Sequence, residues 1–242
     1  MAKKLLVLAV VALVLLAGGS VFGQRQAADP LVEGFMLVEV ASVADAIEQL
    51  YGTQNYMSQD MRPLFKTKFA GRAVTVPLKR WENKESADAL AKMTEAIDGA
   101  PAGSVFVLVV EDGLRYGALG GMMGTTLKHR GVAAAVVDAS IRDIPQLQRI
   151  QFPVYSRGVS PGTTVGHYRC EGYNVPVVCA GVKVNPGDII AGDEDGVVVI
   201  PSGRAADVLK KAQELDHTEH SVYPFIEQTR SLAEAIRKFG RL

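Results

Sequence analysis

The segment from Gly120 to Asp143, GGMMGTTLKHRGVAAAVVDASIRD, constrains the fold of this 242-residue chain more than any other segment. It predicts, in order, a glycine turn, a helix, a buried strand over residues 132–137 and a closing Arg-Asp pair. Gly120, Gly121 and Gly124 would let the backbone approach a ligand where the helix starts. Unpaired N–H groups and the helix dipole favour an anion at such a place. The segment therefore predicts an anion-binding site at the start of a helix.

Two charged residues follow the predicted strand. Arg142 offers a planar guanidinium that suits a carboxylate, and Asp143 offers the oxygen ligands that Mg²⁺ or Mn²⁺ prefers. A helix N-terminus, a guanidinium and a divalent metal together suit a small 2-oxo acid. The alternative is a tight turn followed by an ordinary surface ion pair, which contributes little.

The first two dozen residues form a separate segment. Lys3 and Lys4 precede an apolar run, Leu5 to Ala17, and small residues follow it. This order predicts a signal peptide over residues 1–23, because the run is too short to span a bilayer comfortably. The body, residues 24–242, is then periplasmic or secreted, with no stable membrane insertion once the leader is cleaved. If the leader is retained, the body is anchored to the membrane on its outer side.

The charge of the chain is balanced. It has 26 Lys and Arg and 26 Asp and Glu, a formal net charge of +0, spread evenly and without basic blocks. This balance argues against nucleic acid as a partner. The body has no Pro/Ser-rich linker and no repeat, which favours one domain. The chain lacks a GxGxxG after its first strand and a GxxxxGK[ST], which argues against a nucleotide-binding fold.

Hydrophobic periodicity predicts a mixed succession of helices and strands. The predicted helices are 43–51, 87–96, 204–215 and 223–238, and the predicted strands are 71–77, 105–110, 132–137, 154–156, 175–184, 188–191 and 197–200. The later strands are short and separated by glycines, which indicates a compact second β layer. The pattern therefore predicts an α/β fold built as a layered sandwich.

The cysteines and histidines leave alternatives open. Cys170 and Cys179 flank a segment that could turn the chain, so a disulfide could form in an oxidising compartment. Alternatively, Cys179 is buried in an apolar strand as a small hydrophobic residue. His167, His217 and His220 lack further ligands at the spacing of a zinc site, so we do not expect one.

The order of these segments resembles the RraA-like family, which includes the 4-hydroxy-4-methyl-2-oxoglutarate aldolases and carries an older label of demethylmenaquinone methyltransferase. The matching segments are VADAIEQLYG at Val43, MRPLF at Met61, FAGRAVTV at Phe69, GGMMGTTLKHRGVAAAVVDASIRDI at Gly120, FPVYSRGVSP at Phe152 and VPVVCAGVKVNPGDIIAGDEDGVVVIP at Val175. The resemblance implies a single-domain α/β/β sandwich. It also implies assembly as a homotrimer or hexamer with active sites between subunits.

The resemblance also assigns residues to the substrate. The substrate-binding turn falls on Gly120, Gly121, Met122 and Met123, whose backbone N–H groups would hold the carboxylate of a 2-oxo acid. Arg142 would bind the same substrate and act as the catalytic arginine.

The resemblance assigns the metal site as well. Asp143 would hold Mg²⁺ or Mn²⁺, largely through ordered waters. A neighbouring subunit would offer a carboxylate to those waters from its acidic turn, where the candidates are Asp193, Glu194 and Asp195.

Such a site implies a divalent-metal-dependent carbon-carbon lyase. It would cleave substrates like 4-hydroxy-4-methyl-2-oxoglutarate by a retro-aldol reaction, decarboxylate oxaloacetate, or do both, and release pyruvate. In the aldolases a carboxylate stands 21 residues before the arginine and another three after the aspartate, where this chain has Gly121 and Gln146. The first of these carboxylates serves the acid-base step. Glu111, Asp112 and Tyr116 are candidates for that role here.

The alternative function is an exported, non-catalytic RraA-like protein that binds a 2-oxo acid or acts as a regulator. Some members of the family inhibit a cytoplasmic ribonuclease assembly, a partner that an exported chain would not meet. Metal-dependent release of product distinguishes the lyase from the binding protein.

Overall fold

The computed structural model describes residues 29–81 and 88–240, and the predicted signal peptide, residues 1–23, lies outside the described residues. The helices are α1 (Pro30–Leu37), α2 (Val40–Tyr51), α3 (Ala91–Gly99), α4 (Gly121–His129), α5 (Ile144–Arg149), α6 (Ala205–Thr229) and α7 (Leu232–Phe239). The strands are β1 (Arg62–Pro63), β2 (Phe69–Arg80), β3 (Val105–Val110), β4 (Gly117–Leu119), β5 (Ala134–Ile141), β6 (Val154–Val159), β7 (Tyr168–Arg169), β8 (Val177–Cys179), β9 (Val182–Val184), β10 (Ile189–Gly192) and β11 (Val197–Ile200).

One large sheet organises the chain. Its strand order is β1-β6-β5-β3-β2-β10-β11, with β4 paired to β5 and β7 paired to β2. Strands β2, β3, β5 and β6 are mutually parallel, whereas β10 and β11 run antiparallel to their neighbours. Parallel neighbours need crossover connections, which here contain α3, α4 and α5. The four parallel strands therefore end on one side of the sheet, which we call the carboxyl edge, and start on the other, the amino edge.

The sheet is buried on both faces. Side chains of β3 alternate between them: Phe106 and Leu108 pack with α3, α4 and α5, whereas Val105 and Val107 face β8 to β11. This alternation follows from the strand repeat of two residues, and burial on both faces explains why β3 is apolar throughout. Helices α3, α4 and α5 form the layer on one face, and strands β8 to β11 form a second β layer on the other. With the parallel strands between them, these layers confirm the predicted α/β/β sandwich.

A further helical layer covers the outside of the second β layer. Helices α1, α2 and α6 pack on β10 and β11, and their shared cluster includes Phe35, Ile47, Ile189, Val198 and Val208. Helices were predicted within α2 and α6, whereas α1 was not predicted, nor was the packing of this layer on β10 and β11.

The C-terminal helices are divided differently from the prediction. A break was predicted between residues 215 and 223, yet α6 continues through Pro224 as one 25-residue helix. It ends at Arg230, which adopts a left-handed conformation with φ 52° and donates its N–H to Ile226 O at 2.7 Å. Ser231 then caps α7.

No helix within the described ranges is long and apolar enough to cross a membrane.

Packing between α6 and α7 explains why the proline does not end α6. The Phe225 and Phe239 rings meet edge to face at 5.6 Å, and the Lys238 ammonium lies 4.2 Å from the centre of the Phe225 ring. These contacts stabilise the second half of α6 and offset the loss of the backbone hydrogen bond that Pro224 cannot donate.

Of the two alternatives for the cysteines, the disulfide is not formed in this structure. Cys170 and Cys179 are both free and buried. Cys170 belongs to the core on the helix side of the sheet, and Cys179 belongs to the core on the opposite face. Burial raises the pKa of both thiols. The alternative, a buried Cys179 acting as a small hydrophobic residue, is confirmed.

Candidate functional site

The glycine turn and the Arg-Asp pair meet at the carboxyl edge. Strand β4 runs parallel to the end of β5, with Leu119 opposite Ile141, and the Arg142 N–H donates to Leu119 O at 2.9 Å. Because both strands end here, Gly120 and the start of α4 lie beside Arg142 and Asp143. The proximity expected from the sequence is therefore present, while the roles of these residues stay predictions.

Asp143 has a strained backbone. Its φ of 57° and ψ of 40° lie in the left-handed region, which is uncommon for residues other than glycine. The residue precedes α5, and its carbonyl accepts the N–H groups of Gln146 at 3.0 Å and Leu147 at 3.2 Å. This geometry turns the carboxylate toward α4, where Oδ2 accepts the Gly121 N–H at 2.9 Å. Strain of this kind is concentrated at functional sites.

The Asp143 carboxylate keeps one oxygen available. Oδ2 contacts Gly121 and lies 3.8 Å from Arg142 Nε, while Oδ1 has no hydrogen bond within residues 29–81 and 88–240. The side chain is 50% exposed. A half-exposed carboxylate oxygen fits Mg²⁺, which retains several waters and binds through one or two carboxylates. In the same ranges, no three His, Cys, Asp or Glu side chains converge on a point, so a metal here would take its other ligands from elsewhere.

Arg142 lies across two glycines. A Cβ on Gly117 would be 2.8 Å from Arg142 Cβ, and a Cβ on Gly120 would be 3.2 Å from Arg142 Nε and 2.7 Å from Asp143 Oδ2. Any larger residue at either position would displace the arginine. Gly117 was not identified from the sequence as a residue that makes room for Arg142. Its spacing of three residues from Gly120 is the one local feature that could have drawn attention to it.

The first turn of α4 retains open donors. First-turn N–H groups have no partner within their own helix. The Gly121 N–H is taken by Asp143, whereas those of Met122 and Met123 have no protein acceptor among the described residues. The Met122 side chain is 87% exposed, and Met123 packs against the helix-side core. Two of the predicted carboxylate donors are thus open to a ligand.

Gly124 has a role in helix packing. A Cβ there would collide with Leu147 Cδ2, so this glycine allows α4 to pack closely against α5. The expectation that Gly124 brings backbone toward a ligand stays a prediction.

The two positions that depart from the aldolase pattern contact each other. A Cβ on Gly121 would lie 2.9 Å from Gln146 Cγ. The Gln146 amide is engaged by Thr125 and Arg149. This contact joins residues 25 positions apart, so the sequence alone gave no sign of it.

The acid-base candidates have other contacts. Glu111 Oε2 accepts the Arg80 N–H at 3.0 Å, and the Tyr116 ring stacks on His167 at 4.6 Å. Asp112 adopts a left-handed conformation with φ 50°. No hydrogen bond or ion pair joins Glu111, Asp112 or Tyr116 to Arg142 or Asp143 in the described part of the chain. Their predicted role gains no support from this arrangement.

The acidic turn lies at the opposite edge of the sheet. It follows β10, whose last residue, Gly192, pairs with Phe69 at the start of β2. Asp193, Glu194 and Asp195 are therefore at the amino edge, across the sheet from Arg142 and Asp143. Within one protomer they are not brought to the site.

The three acidic residues differ in their contacts. Asp193 accepts the Val40 N–H through Oδ2 and the Asp195 N–H through Oδ1, both at 3.0 Å. Glu194 pairs with Lys66 at 2.9 Å on the surface. The Asp195 carboxylate has no hydrogen bond or ion pair among the described residues. Asp193 thus holds the start of α2 and the turn itself, while Asp195 is the most available.

Comparison with known proteins agrees with the fold. The RraA-like family, described as Aldolase/RraA, matches residues 40–199. A protein of Halalkalibacterium halodurans, provisionally named a 4-hydroxy-4-methyl-2-oxoglutarate aldolase, is 32% identical over 192 residues, which cover 78% of this chain and 84% of that protein.

Two solved structures have the same fold. An uncharacterized protein from Pseudomonas syringae pv. tomato aligns with a TM-score of 0.78 and 25% identity, covering 87% of this chain and 94% of that one. Streptomyces coelicolor RraAS2, described as an unusual member of the RNase ES inhibitor RraA protein family, aligns with a TM-score of 0.70 and 26% identity, covering 80% and 95%. Because the family match spans residues 40–199 and the Halalkalibacterium relative is 32% identical over most of both chains, this chain belongs to the RraA-like family.

Proposed function

We propose that this protein is a divalent-metal-dependent carbon-carbon lyase acting on a small 2-oxo acid. The reaction is retro-aldol cleavage of a 4-hydroxy-4-methyl-2-oxoglutarate-like substrate, decarboxylation of oxaloacetate, or both, with release of pyruvate. The observation that carries the proposal is the convergence of three features at the carboxyl edge. They are the open N–H groups of α4, the half-exposed Arg142 and the strained Asp143.

The chain's own groups bind and orient the substrate. The N–H groups of Met122 and Met123 and the Arg142 guanidinium all offer donors at one place, which suits a carboxylate next to a keto group. Arg142 also places positive charge where the keto oxygen gains negative charge as the carbon-carbon bond breaks. Asp143 Oδ1 would hold Mg²⁺ or Mn²⁺, which when bound supplies Lewis-acid polarisation of the keto group.

A neighbouring copy completes this site in our proposal. Four exposed apolar residues occur near the carboxyl edge, namely Leu114, Met122, Val159 and Val165. Exposed apolar side chains grouped at one edge favour a contact with another protein surface. An acidic turn at the opposite edge of each protomer suits a head-to-tail trimer or hexamer, in which Asp195 of the partner subunit reaches the metal waters.

The lyase is tested by following pyruvate release from both substrates with and without Mg²⁺. The Asp143→Asn variant is expected to lower kcat/KM about 100-fold, in the range found when groups that orient or bind a catalytic metal are lost. The matched control is Asp98→Asn on α3, which should leave the rate unchanged. Release that persists at full rate in Asp143→Asn, or with the metal removed, would contradict the proposal.

A binding protein without turnover is the second candidate. It is favoured by the neutral Gly121 and Gln146, which cannot exchange protons at the positions where the aldolases carry carboxylates. The named inhibitor family of the Streptomyces relative also supports it. Calorimetric binding of pyruvate or oxaloacetate that depends on Arg142, with no product above the metal-only background, would replace the lyase by this function.

We also propose that the protein is exported, on the basis of the leader pattern in residues 1–23. Cell fractionation followed by N-terminal sequencing tests this directly. The expected result is a periplasmic or secreted chain that starts near Gln24. A cytoplasmic chain that retains Met1 would contradict it.

A further inference from the structure

Gly121 is held on three sides. Its N–H donates to Asp143 Oδ2 at 2.9 Å, and its carbonyl accepts the Thr125 hydroxyl at 2.6 Å. The side where a side chain would stand is filled by Gln146, whose Cγ and Cβ lie 2.9 and 3.2 Å from a Cβ built on Gly121. The position of Gly121, and with it the partner of Asp143, therefore depends on Gln146.

The Gln146 amide uses both of its ends. Its Nε2 donates to Thr125 Oγ1 at 3.0 Å, and its Oε1 accepts from Arg149 Nε at 3.0 Å and Nη2 at 2.7 Å. The Thr125 hydroxyl hydrogen is already given to the Gly121 carbonyl, so Thr125 needs a donor and not an acceptor. Only an amide side chain of this length supplies a donor at one end and an acceptor at the other. A carboxylate at position 146 would accept from Arg149 but could not donate to Thr125.

The backbone links Gln146 to Asp143 as well. The Gln146 N–H donates to the Asp143 carbonyl at 3.0 Å. A non-glycine residue in the left-handed region persists only where its surroundings hold it. Gln146 thus contacts Asp143 through the main chain and Gly121 through the side chain, and joins the two residues whose contact orients the carboxylate.

We propose that Gln146 is a positioning residue that holds Gly121 against Asp143 and thereby sets the orientation of the Asp143 carboxylate. The effect on a bound metal rests on the proposed function, but the effect on the contact does not. Positions 121 and 146 then form one unit, because a side chain at 121 collides with Gln146.

The contact is measured first, in the metal-free full chain. Gln146→Met keeps the stem and removes the amide, and Gln148→Met changes an exposed glutamine of the same helix as a matched control. In protein labelled with ¹⁵N-glycine, the Gly121 resonance is identified by its absence in Gly121→Ala. Hydrogen exchange at Gly121 is expected to be about tenfold faster in Gln146→Met, as for the loss of one hydrogen bond. Gln148→Met should leave it unchanged.

Metal affinity is measured next, by titration with Mn²⁺ alone. Gln146→Met is expected to raise the Kd about 10-fold, the lower end of the range for residues that orient a metal ligand. A double-mutant cycle of Gly121→Ala and Gln146→Ala tests the coupling. Gly121→Ala should raise the Mn²⁺ Kd strongly in the native chain and less strongly once Gln146 is replaced by alanine.

The outcomes separate this inference from the proposed function. Unchanged Gly121 exchange in Gln146→Met, or additive effects in the cycle, would overturn the inference even if the enzyme releases pyruvate. Faster Gly121 exchange in a protein that binds no Mn²⁺ through Asp143 would retain the inference and reject the metal site.

Discussion

Two Arg-Asp pairs lie on neighbouring strands of the sheet, and they differ in how completely their charges are paired. Arg142 and Asp143 follow the end of β5 and approach each other only to 3.8 Å. Arg157 on β6 and Asp138 on β5 are hydrogen-bonded at 3.0 Å. Both are pairs of the same two residue types, and β5 contributes to each of them.

The second pair has further hydrogen bonds that hold both of its members. Arg157 Nε also donates to Asp60 at 2.8 Å, and these two carboxylates raise the pKa of the guanidinium. Asp138 Oδ2 accepts the Ala180 N–H at 2.6 Å, and its side chain is only 14% exposed. This network fastens β5 and β6 to the turn of the β8–β9 hairpin.

Residue type alone therefore does not distinguish a candidate site from a structural ion pair. The pair with strained backbone, one uncommitted oxygen and an arginine lying on glycines is the pair that can exchange its partners for a ligand. The pair of Arg157 and Asp138 cannot do so without leaving the largely buried Asp138 carboxylate poorly solvated.

The largest expected effect concerns Arg142. Replacement by alanine should lower kcat/KM for the proposed substrates by about 10²- to 10³-fold, as when one donor to a developing oxyanion is lost. The thermal midpoint should not change, because the side chain is 39% exposed and donates no hydrogen bond to any of the described residues. Kinetics and thermal unfolding are measured on the same preparation. A lower midpoint with an unchanged rate would reverse the assignment of the two pairs.

Arg157 should show the opposite behaviour. Arg157→Met leaves Asp138 without its counterion, and we expect a loss of about 2 kcal/mol in the free energy of unfolding, less than for a fully buried pair. Urea unfolding measures it. Arg142→Met is the matched control and should lose less than about 0.5 kcal/mol. Equal losses in both variants would remove the distinction between them.

The same contrast extends to the acidic turn. Asp193→Ala removes acceptors from two backbone N–H groups, and it should cost about 1 kcal/mol of stability, as for other caps. Asp195→Ala should leave stability unchanged and lower only the metal-dependent rate. If Asp193→Ala kept full stability but lowered the metal-dependent rate, Asp193 and not Asp195 would be the carboxylate that the partner subunit offers to the metal waters.

The smallest effect is a pH dependence at Asp60. Hydrogen bonds from Ser58 and Arg157 lower the pKa of this carboxyl from its ordinary value of 3.8. Because the folded-state pKa is below the unfolded one, the contribution is present above the unfolded value and is lost as pH falls through the folded value. The stability difference between the native chain and Asp60→Asn should therefore vanish on acidification. A difference that grew below about pH 4 would contradict this sign.

Local signals predicted most of the sheet. Strands 105–110 and 197–200 were predicted with the bounds that the structure has, because turn residues on either side of a short apolar run mark where the strand begins and ends. The glycine turn, α4 and β5 also followed in the predicted order. The Arg-Asp pair was therefore predicted at the end of a strand and beside a helix start, where it lies.

Contacts between distant residues could not be predicted. Nothing local indicates that Gly121 faces Gln146 or that Gly117 supports Arg142. The sequence left the disulfide open because the spacing of Cys170 and Cys179 does not reveal that they belong to cores on opposite faces of the sheet. In each case a tertiary contact decides the role of a residue whose local sequence allows several roles.

The placement of Arg142 and Asp143 at one edge and the acidic turn at the other has a counting consequence for the proposed assembly. Copies joined through these two edges form a heterologous contact, which either closes or remains open. An open row leaves one carboxyl edge and one turn unmatched at its ends, so it always contains one complete site fewer than it has chains. Closure of the ring makes the two numbers equal without any new kind of contact. If the turn contributes to turnover as proposed, activity per chain rises when the row closes, and the smallest ring gains the largest share.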